Sequence, residues 1–175
     1  GNLRHVDTKL LLGKIWPNAA SAAGVYVVTL SIFPGFLAED VKSEALGDWF
    51  PILLITAFNV ADAVGKTMPC GERMMEDGKG KAHLLMSLTA GRVLFVPVFA
   101  ICAMGPEALR SELIIVGLTF LLGLSSGWLA TVAMVTAPMR VTRAEEQTAG
   151  NAMVLFLILG LTVGAFCGWL WLLAA

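Results

Sequence analysis

Three polar side chains with complementary chemistry lie close together in an otherwise apolar part of the chain. Asn59, Asp62 and Lys66 are separated by three and four residues, the spacing that brings side chains onto one face of an α-helix. A carboxylate in hydrocarbon costs roughly 2.5–3.5 kcal/mol even on a lenient insertion scale, so it is normally kept for pairing, a water-filled path or a substrate. We call these three residues the polar stripe.

The polar stripe has two interpretations that its spacing does not separate. In the first, Asp62 and Lys66 form an i,i+4 ion pair that neutralises itself, and Asn59 bonds to a neighbouring helix. The pair is then a structural lock. In the second, the carboxylate accepts hydrogen bonds from substrate hydroxyl groups while the ammonium group donates to the same ligand. The vicinal hydroxyl groups of a sugar would suit such a site.

The elements that carry the stripe are predicted to span a membrane. Of the 175 residues, 57% are hydrophobic and the mean hydropathy is +0.79, which is more apolar surface than a soluble domain of this size buries. Five apolar stretches suit the hydrocarbon core in length, at residues 15–37, 50–66, 84–104, 113–138 and 152–174. We therefore expect one all-α, polytopic transmembrane domain over residues 1–175.

The basic residues predict how this domain is oriented. If the loops alternate between the two sides of the membrane, one side receives nine of the 12 Lys and Arg residues and the other receives only Lys42 and Arg110. This imbalance is a strong positive-inside signal, which predicts a cytoplasmic N-terminus and an extracellular C-terminus. A net charge of −1, confined mostly to loops, gives no indication of nucleic-acid binding.

Further residues suggest contacts between helices. Arg92 lies eight residues inside the third stretch, where its side chain either snorkels to the cytoplasmic interface or pairs with a carboxylate on another helix. Glu146 lies in a charged turn before the last stretch, where a gating or helix-pairing contact is the alternative to a solvated turn. Gly160, Gly164 and Gly168 recur every four residues and predict a surface of close helix packing.

No combination of residues indicates an enzyme. Cys70, Cys102 and Cys167 form no CxxC pair, and both histidines lie in loops, so neither a metal site nor a disulfide framework is predicted. The apolar stretches also contain no recognisable nucleophile with a base and no paired carboxylates. We expect no cofactor and no catalytic residues.

Four segments, in the expected order, resemble the equilibrative nucleoside transporter family. The polar stripe lies in FNVADAVGK, which is similar to a signature segment of the family with an Asn, an Asp and a basic residue at this spacing. The four segments cover residues 31–34 (SIFP), 58–66 (FNVADAVGK), 92–97 (RVLFVP) and 144–150 (AEEQTAG). The resemblance extends over nearly the whole chain, and residues 33–36 (FPGF) are most similar to the plant-type members.

The resemblance implies a transporter related to the major facilitator fold, with six spans in its first half and five in its second. This chain would then be a fragment comprising spans 7–11, and its partner would be the missing six-span N-terminal half. The resemblance further implies that Asp62 and Lys66 contact the substrate, that Asn59 lines the central cavity and that Phe33 lies near the nucleoside. Lys66 departs from the Arg of many members and loses the planar fork that grips two oxygens.

The sequence therefore predicts half of a nucleoside transporter that works by alternating access, with Asp62 and Lys66 contacting the ribose hydroxyl groups. A plasma-membrane location is favoured over an internal membrane. The alternative is a non-transporting membrane protein, with a helix-packing or regulatory role, in which the Asp62–Lys66 pair is a structural lock.

Overall fold

The chain is almost entirely helical over the residues that the computed structural model describes, which are 7–33, 46–68, 80–104 and 111–174. Two short 3-10 helices, Arg92–Leu94 and Pro138–Arg140, accompany six α-helices. The α-helices are α1 (Thr8–Ile32), α2 (Trp49–Thr67), α3 (Gly80–Gly91), α4 (Phe95–Met104), α5 (Glu112–Thr136) and α6 (Glu146–Ala174). The predicted all-α class is confirmed.

Five helical segments are long and apolar enough to cross a membrane. Since α3, the 3-10 turn and α4 follow one another without a gap, they contribute one segment. The five are Thr8–Ile32, Trp49–Thr67, His83–Cys102, Glu112–Arg140 and Glu146–Trp169. The chain is therefore a multi-pass membrane protein, as its composition predicts.

The first helix begins earlier and ends earlier than its hydropathy predicts. The Asp7 carboxylate accepts hydrogen bonds from the backbone N–H groups two and three residues later, at 3.1 and 3.4 Å, and so caps α1 seven residues before the expected start at residue 15. The helix stops at Ile32, because the residue before Pro34 is disfavoured in the helical conformation. Residues 34–37 of the predicted span lie outside the described residues.

The third span contains a break that follows from its proline. Pro97 has no N–H to donate to the carbonyl group of Val93, four residues earlier, so the regular ladder cannot continue through this point. The 3-10 turn Arg92–Leu94 lies there and joins α3 to α4. A tightened turn of this kind changes the direction in which Arg92 projects relative to a continuous α-helix.

Glycine permits the closest contacts between helices. The α6 helix lies along α1, α5 lies along α2, and α1 links these two pairs by packing against α5. A Cβ atom added at Gly160, Gly164 or Gly168 would lie 2.5–2.7 Å from a carbonyl oxygen of α1. Because backbone cannot yield at that distance, the stripe on α6 allows an approach that larger residues would prevent.

Polar residues separate the two apolar clusters of the interior. One cluster includes Ile15, Val25 and Leu129, and the other includes Val28, Phe99 and Leu122. Thr29, Ser126 and Arg92 are buried at the level where one cluster gives way to the other. The core therefore contains a polar layer across α1, α5 and the third span.

Candidate functional site

The polar stripe lies on an open face of α2. The Lys66 ammonium group donates a hydrogen bond to Asp62 Oδ2 at 2.5 Å, and the two side chains are 50% and 17% exposed, respectively. The exposed Asn59 donates its amide N–H to the Ile55 carbonyl oxygen of its own helix at 2.8 Å. Each of these bonds is thus made within α2, and the bond from Asn59 to a neighbouring helix that a structural lock would use is not formed.

An adjacent face of α2 packs against α5. Gly123 and Gly127 of α5 face the helical turn that carries Asp62, and a Cβ atom at Gly127 would overlap the Asp62 carbonyl oxygen. Ala61 is completely buried in the same contact. The backbone of the turn is therefore fixed from behind, while the carboxylate and ammonium groups point to the open side.

Phe33, which follows the last residue of α1, contacts α2. Its ring stacks on Phe58 with 4.7 Å between the centroids and 20° between the planes. Because Phe33 is only 6% exposed and packs into the second apolar cluster, it lies beneath the polar stripe rather than on the open face. Direct contact between Phe33 and a nucleoside stays a prediction.

Tyr26 of α1 is a partly buried polar residue that was not singled out in the sequence. It precedes Phe33, the residue that follows the end of α1, by seven residues, or about two helical turns. The phenol interacts electrostatically with both Asp62 and Lys66. Tyr26 is the chain's only tyrosine, and its spacing from Phe33 was the signal that could have indicated its role.

Arg92 differs from both arrangements expected of it. The side chain is buried, so it does not snorkel to the interface. Its guanidinium group donates to Ser125 Oγ at 2.6 Å, to Thr29 Oγ1 at 2.9 Å and to the Leu122 carbonyl oxygen at 3.3 Å. No carboxylate of the described residues forms an ion pair with it. Arg92 joins the third span to α1 and α5 through hydroxyl and carbonyl groups, and a gating role stays a prediction.

The charged turn before α6 pairs with α1 through Glu145 and not through Glu146. Glu145 Oε2 accepts hydrogen bonds from the backbone N–H and the hydroxyl group of Thr142, at 3.1 and 3.0 Å, and from Lys14 at 3.3 Å. The two bonds from Thr142, followed by Lys14, hold the Glu145 pKa below its usual range. Glu146 is exposed, and a gating role for it stays a prediction.

The open side of α2 suits the binding of a polyhydroxylated solute. Asp62 Oδ1 makes no hydrogen bond within the described ranges, and Lys66 has two further N–H groups beyond the one that it donates to Asp62. Over those ranges, no group of three or more His, Cys, Asp and Glu residues could hold a metal ion. The site thus offers an acceptor and donors side by side.

Comparison of the sequence with known proteins identifies a family of transporters. The family described as Nucleoside transporter matches residues 2–173. Equilibrative nucleotide transporter 8 of Arabidopsis thaliana is 44% identical over 164 residues, which are 90% of this chain and 39% of that protein. Equilibrative nucleotide transporter 1 of the same plant is 46% identical over 149 residues, 85% of this chain and 32% of that protein.

A human relative extends the comparison beyond plants. Equilibrative nucleoside transporter 4 of Homo sapiens is 35% identical over 158 residues, which are 87% of this chain and 29% of that protein. The chain therefore spans between 29% and 39% of the length of these three curated relatives.

Proposed function

Because this chain belongs to the nucleoside transporter family, we propose that it is the C-terminal half of a protein that moves nucleosides across a membrane by alternating access. The resemblance to plant-type equilibrative nucleoside transporters is confirmed by the identities with Arabidopsis relatives. The relatives are named as transporters of nucleotides or nucleosides, and both solutes contain a base joined to a ribose. Because these relatives are named as transporters, we propose a transport role for this chain rather than an enzymatic one.

The observation that carries the proposal is the ion pair on the open face of α2. In the empty state Asp62 and Lys66 neutralise one another, which lowers the free energy of keeping two charges at this depth. The free carboxylate oxygen accepts a hydrogen bond from one ribose hydroxyl group, and the ammonium group donates to a second. Substrate thus adds to the ion pair instead of displacing it, and hydrogen bonds to charged groups are the stronger kind.

The open face is also where a second half would complete the site. Alternating access requires two helical units that rock around a binding site between them. In the proposed arrangement the missing six-span half covers the polar stripe, and nucleoside lies between the halves. The excess of basic residues in alternate loops supports a cytoplasmic N-terminus for this half.

The test of this proposal is Asp62→Asn in the whole transporter, with nucleoside uptake measured in proteoliposomes. The neutral amide loses a charged acceptor, and we expect uptake efficiency to fall by about tenfold or more. Thr56→Val is the matched control, since Thr56 is exposed on the same helix and donates only to its own backbone, at Ile52. Normal uptake by the Asp62→Asn protein at equal reconstitution would refute the proposed site.

A charge exchange separates transport from the structural-lock alternative. Asp62→Lys combined with Lys66→Asp keeps an i,i+4 pair but puts the acceptor and the donors in each other's places. A lock tolerates this exchange, whereas a ligand site does not. The i,i+4 pair fits both interpretations, but the lock is not favoured, because Asn59 bonds within α2 and makes no hydrogen bond to another helix among the described residues.

A further inference from the structure

We infer that Tyr26 is a third substrate-contacting residue, whose phenolic hydroxyl group hydrogen-bonds to one of the two ribose hydroxyl groups. This role rests on the proposed function of Asp62 and Lys66 and extends it to a residue on a different helix. It also makes the site selective, since a polar group placed to bind a substrate hydroxyl group disfavours the analogue that lacks it.

The first support is the relative position of α1 and α2. The Phe33–Phe58 stack brings the two helices together at one level. Consecutive spans run in opposite directions, so residues that precede Phe33 lie level with residues that follow Phe58. Tyr26 lies seven residues, about 10.5 Å, before Phe33, whereas Asp62 and Lys66 lie four and eight residues, about 6 and 12 Å, after Phe58. Tyr26 is therefore level with the ion pair.

The second support is that the Tyr26 phenol acts on the ion pair itself. It interacts electrostatically with both Lys66 and Asp62. This interaction agrees with the register derived from the aromatic stack.

The third support is that the hydroxyl group of Tyr26 is available. It makes no hydrogen bond to any residue that the structure describes, although the side chain is partly buried and packs on the first apolar cluster. A phenol in such surroundings is stabilised when its O–H finds a partner. Since the neighbouring acceptor and donors belong to the ion pair, a solute held by that pair lies within reach of the phenol.

The position of Tyr26 is rigid enough for selectivity. On α6, Gly164 faces the Tyr26 backbone, where an added Cβ atom would lie 2.7 Å from the carbonyl oxygen. Glycine at this point lets α6 press directly on the turn of α1 that carries the phenol. The Tyr26 turn is thus supported from behind, as α5 supports the Asp62 turn.

The inference is tested with Tyr26→Phe in the whole transporter and three probes: uridine, 2′-deoxyuridine and 3′-deoxyuridine. Removing only the phenolic oxygen should lower uptake efficiency for uridine about three- to tenfold. Uptake of the deoxy analogue that lacks the contacted hydroxyl group should change less than about twofold, because that contact is already absent. The uptake efficiency for uridine, divided by the uptake efficiency for that analogue, should therefore fall. This ratio does not depend on how much of the transporter is expressed.

Trp16→Phe is the matched control, since Trp16 is an exposed aromatic residue of the same helix whose ring contacts Phe156 at 5.8 Å. It should leave both ratios unchanged. If Tyr26→Phe abolishes uptake, displacement of bound uridine from the purified transporter by each analogue supplies the same ratios. Unchanged ratios in both deoxy comparisons would overturn the inference.

The outcome for Asp62→Asn distinguishes the two levels of interpretation. Loss of uptake in Asp62→Asn with unchanged ratios in Tyr26→Phe removes Tyr26 from the site and leaves the proposed function intact. Normal uptake in Asp62→Asn removes the proposed function itself, whatever Tyr26→Phe does.

Discussion

Arg92 and the Asp62–Lys66 pair both place charge inside membrane-spanning helices, yet one is closed and the other is open. Arg92 is 2% exposed and directs its guanidinium group at two hydroxyl groups and a carbonyl oxygen on neighbouring helices. Asp62 and Lys66 bond to each other within one helix, and half of the Lys66 side chain is accessible. Charged residues in the spans of this molecule therefore occur in two different environments, one buried and one accessible.

The difference distinguishes a charge that joins helices from the charges that we propose bind a ligand. The partners of Arg92 come from α1 and α5, so its hydrogen bonds hold elements together, and its Nε–H, which has no partner among the described residues, is buried. Among the described residues, Asp62 and Lys66 make no hydrogen bond to another helix and keep an acceptor oxygen and N–H groups unused. Arg92 differs from the Asp62–Lys66 pair in how deeply its side chain is buried and in whether its hydrogen-bond partners lie on other helices. Charge and depth in the membrane do not separate them.

The largest expected effect that sharpens this comparison is the loss of stability on Arg92→Met. Methionine fills part of the space but makes none of the charged hydrogen bonds, and we expect the free energy of unfolding to fall by about 2–4 kcal/mol. Thermal unfolding of the purified whole transporter measures it. Lys66→Met is the paired variant, which should lose uptake but lower the unfolding midpoint less than Arg92→Met does, because the Lys66 side chain is half exposed. Equal unfolding midpoints for the two variants would contradict the claim that Arg92 contributes more to stability than Lys66 does.

A smaller effect is expected from Gly127→Ala, which disturbs the open site from behind. The new methyl group overlaps the Asp62 carbonyl oxygen, so α2 must move away from α5, at a cost of about 1–3 kcal/mol. We expect a lower unfolding midpoint together with a raised KM for nucleoside. Gly117→Ala on the same helix meets no atom within 4 Å and should change neither quantity. Similar results for both variants would contradict the packing described for Asp62.

The smallest effect concerns the Glu145–Lys14 contact, a charge pair outside the spans. Its hydrogen bonds lower the Glu145 pKa, because they stabilise the ionised carboxylate in the folded state. In the unfolded state these hydrogen bonds are absent. The stabilisation is therefore present above the ordinary pKa of about 4.3 and is lost as the pH falls through the lower folded value. The unfolding midpoint of Glu145→Gln should depend less on pH below about 5 than that of Glu146→Gln. Identical pH profiles would show that the contact contributes nothing.

Features that depend on neighbouring residues in the chain were predicted well. The five spans follow from runs of apolar residues, and the 3- and 4-residue spacing of the polar stripe placed Asp62 and Lys66 together on α2. The start of α1 was predicted too late, because hydropathy carries no information about the hydrogen bonds that Asp7 makes to the first turn. Pro97 indicated a break in the third span without indicating where Arg92 would point.

Contacts between distant residues escaped prediction. The partners of Arg92 are 63 and 33 residues away in the chain, so neither snorkelling nor a carboxylate could be excluded beforehand. Tyr26 escaped notice because its importance depends on Asp62 and Lys66 of another helix. Glu145 and Glu146 are adjacent and chemically alike, and only the position of Lys14 decides which of them pairs with α1.

By itself, the amino-acid sequence determined that this protein is a helical membrane protein and that Asn59, Asp62 and Lys66 share a helical face, because hydrophobicity and helical period act over a few residues. The tertiary structure alone decided that Arg92 is enclosed, that the ion pair is open and that Tyr26 lies at the level of the pair. Those outcomes depend on which helices approach one another. That approach is set by small residues and ring contacts between parts of the chain that are far apart in sequence.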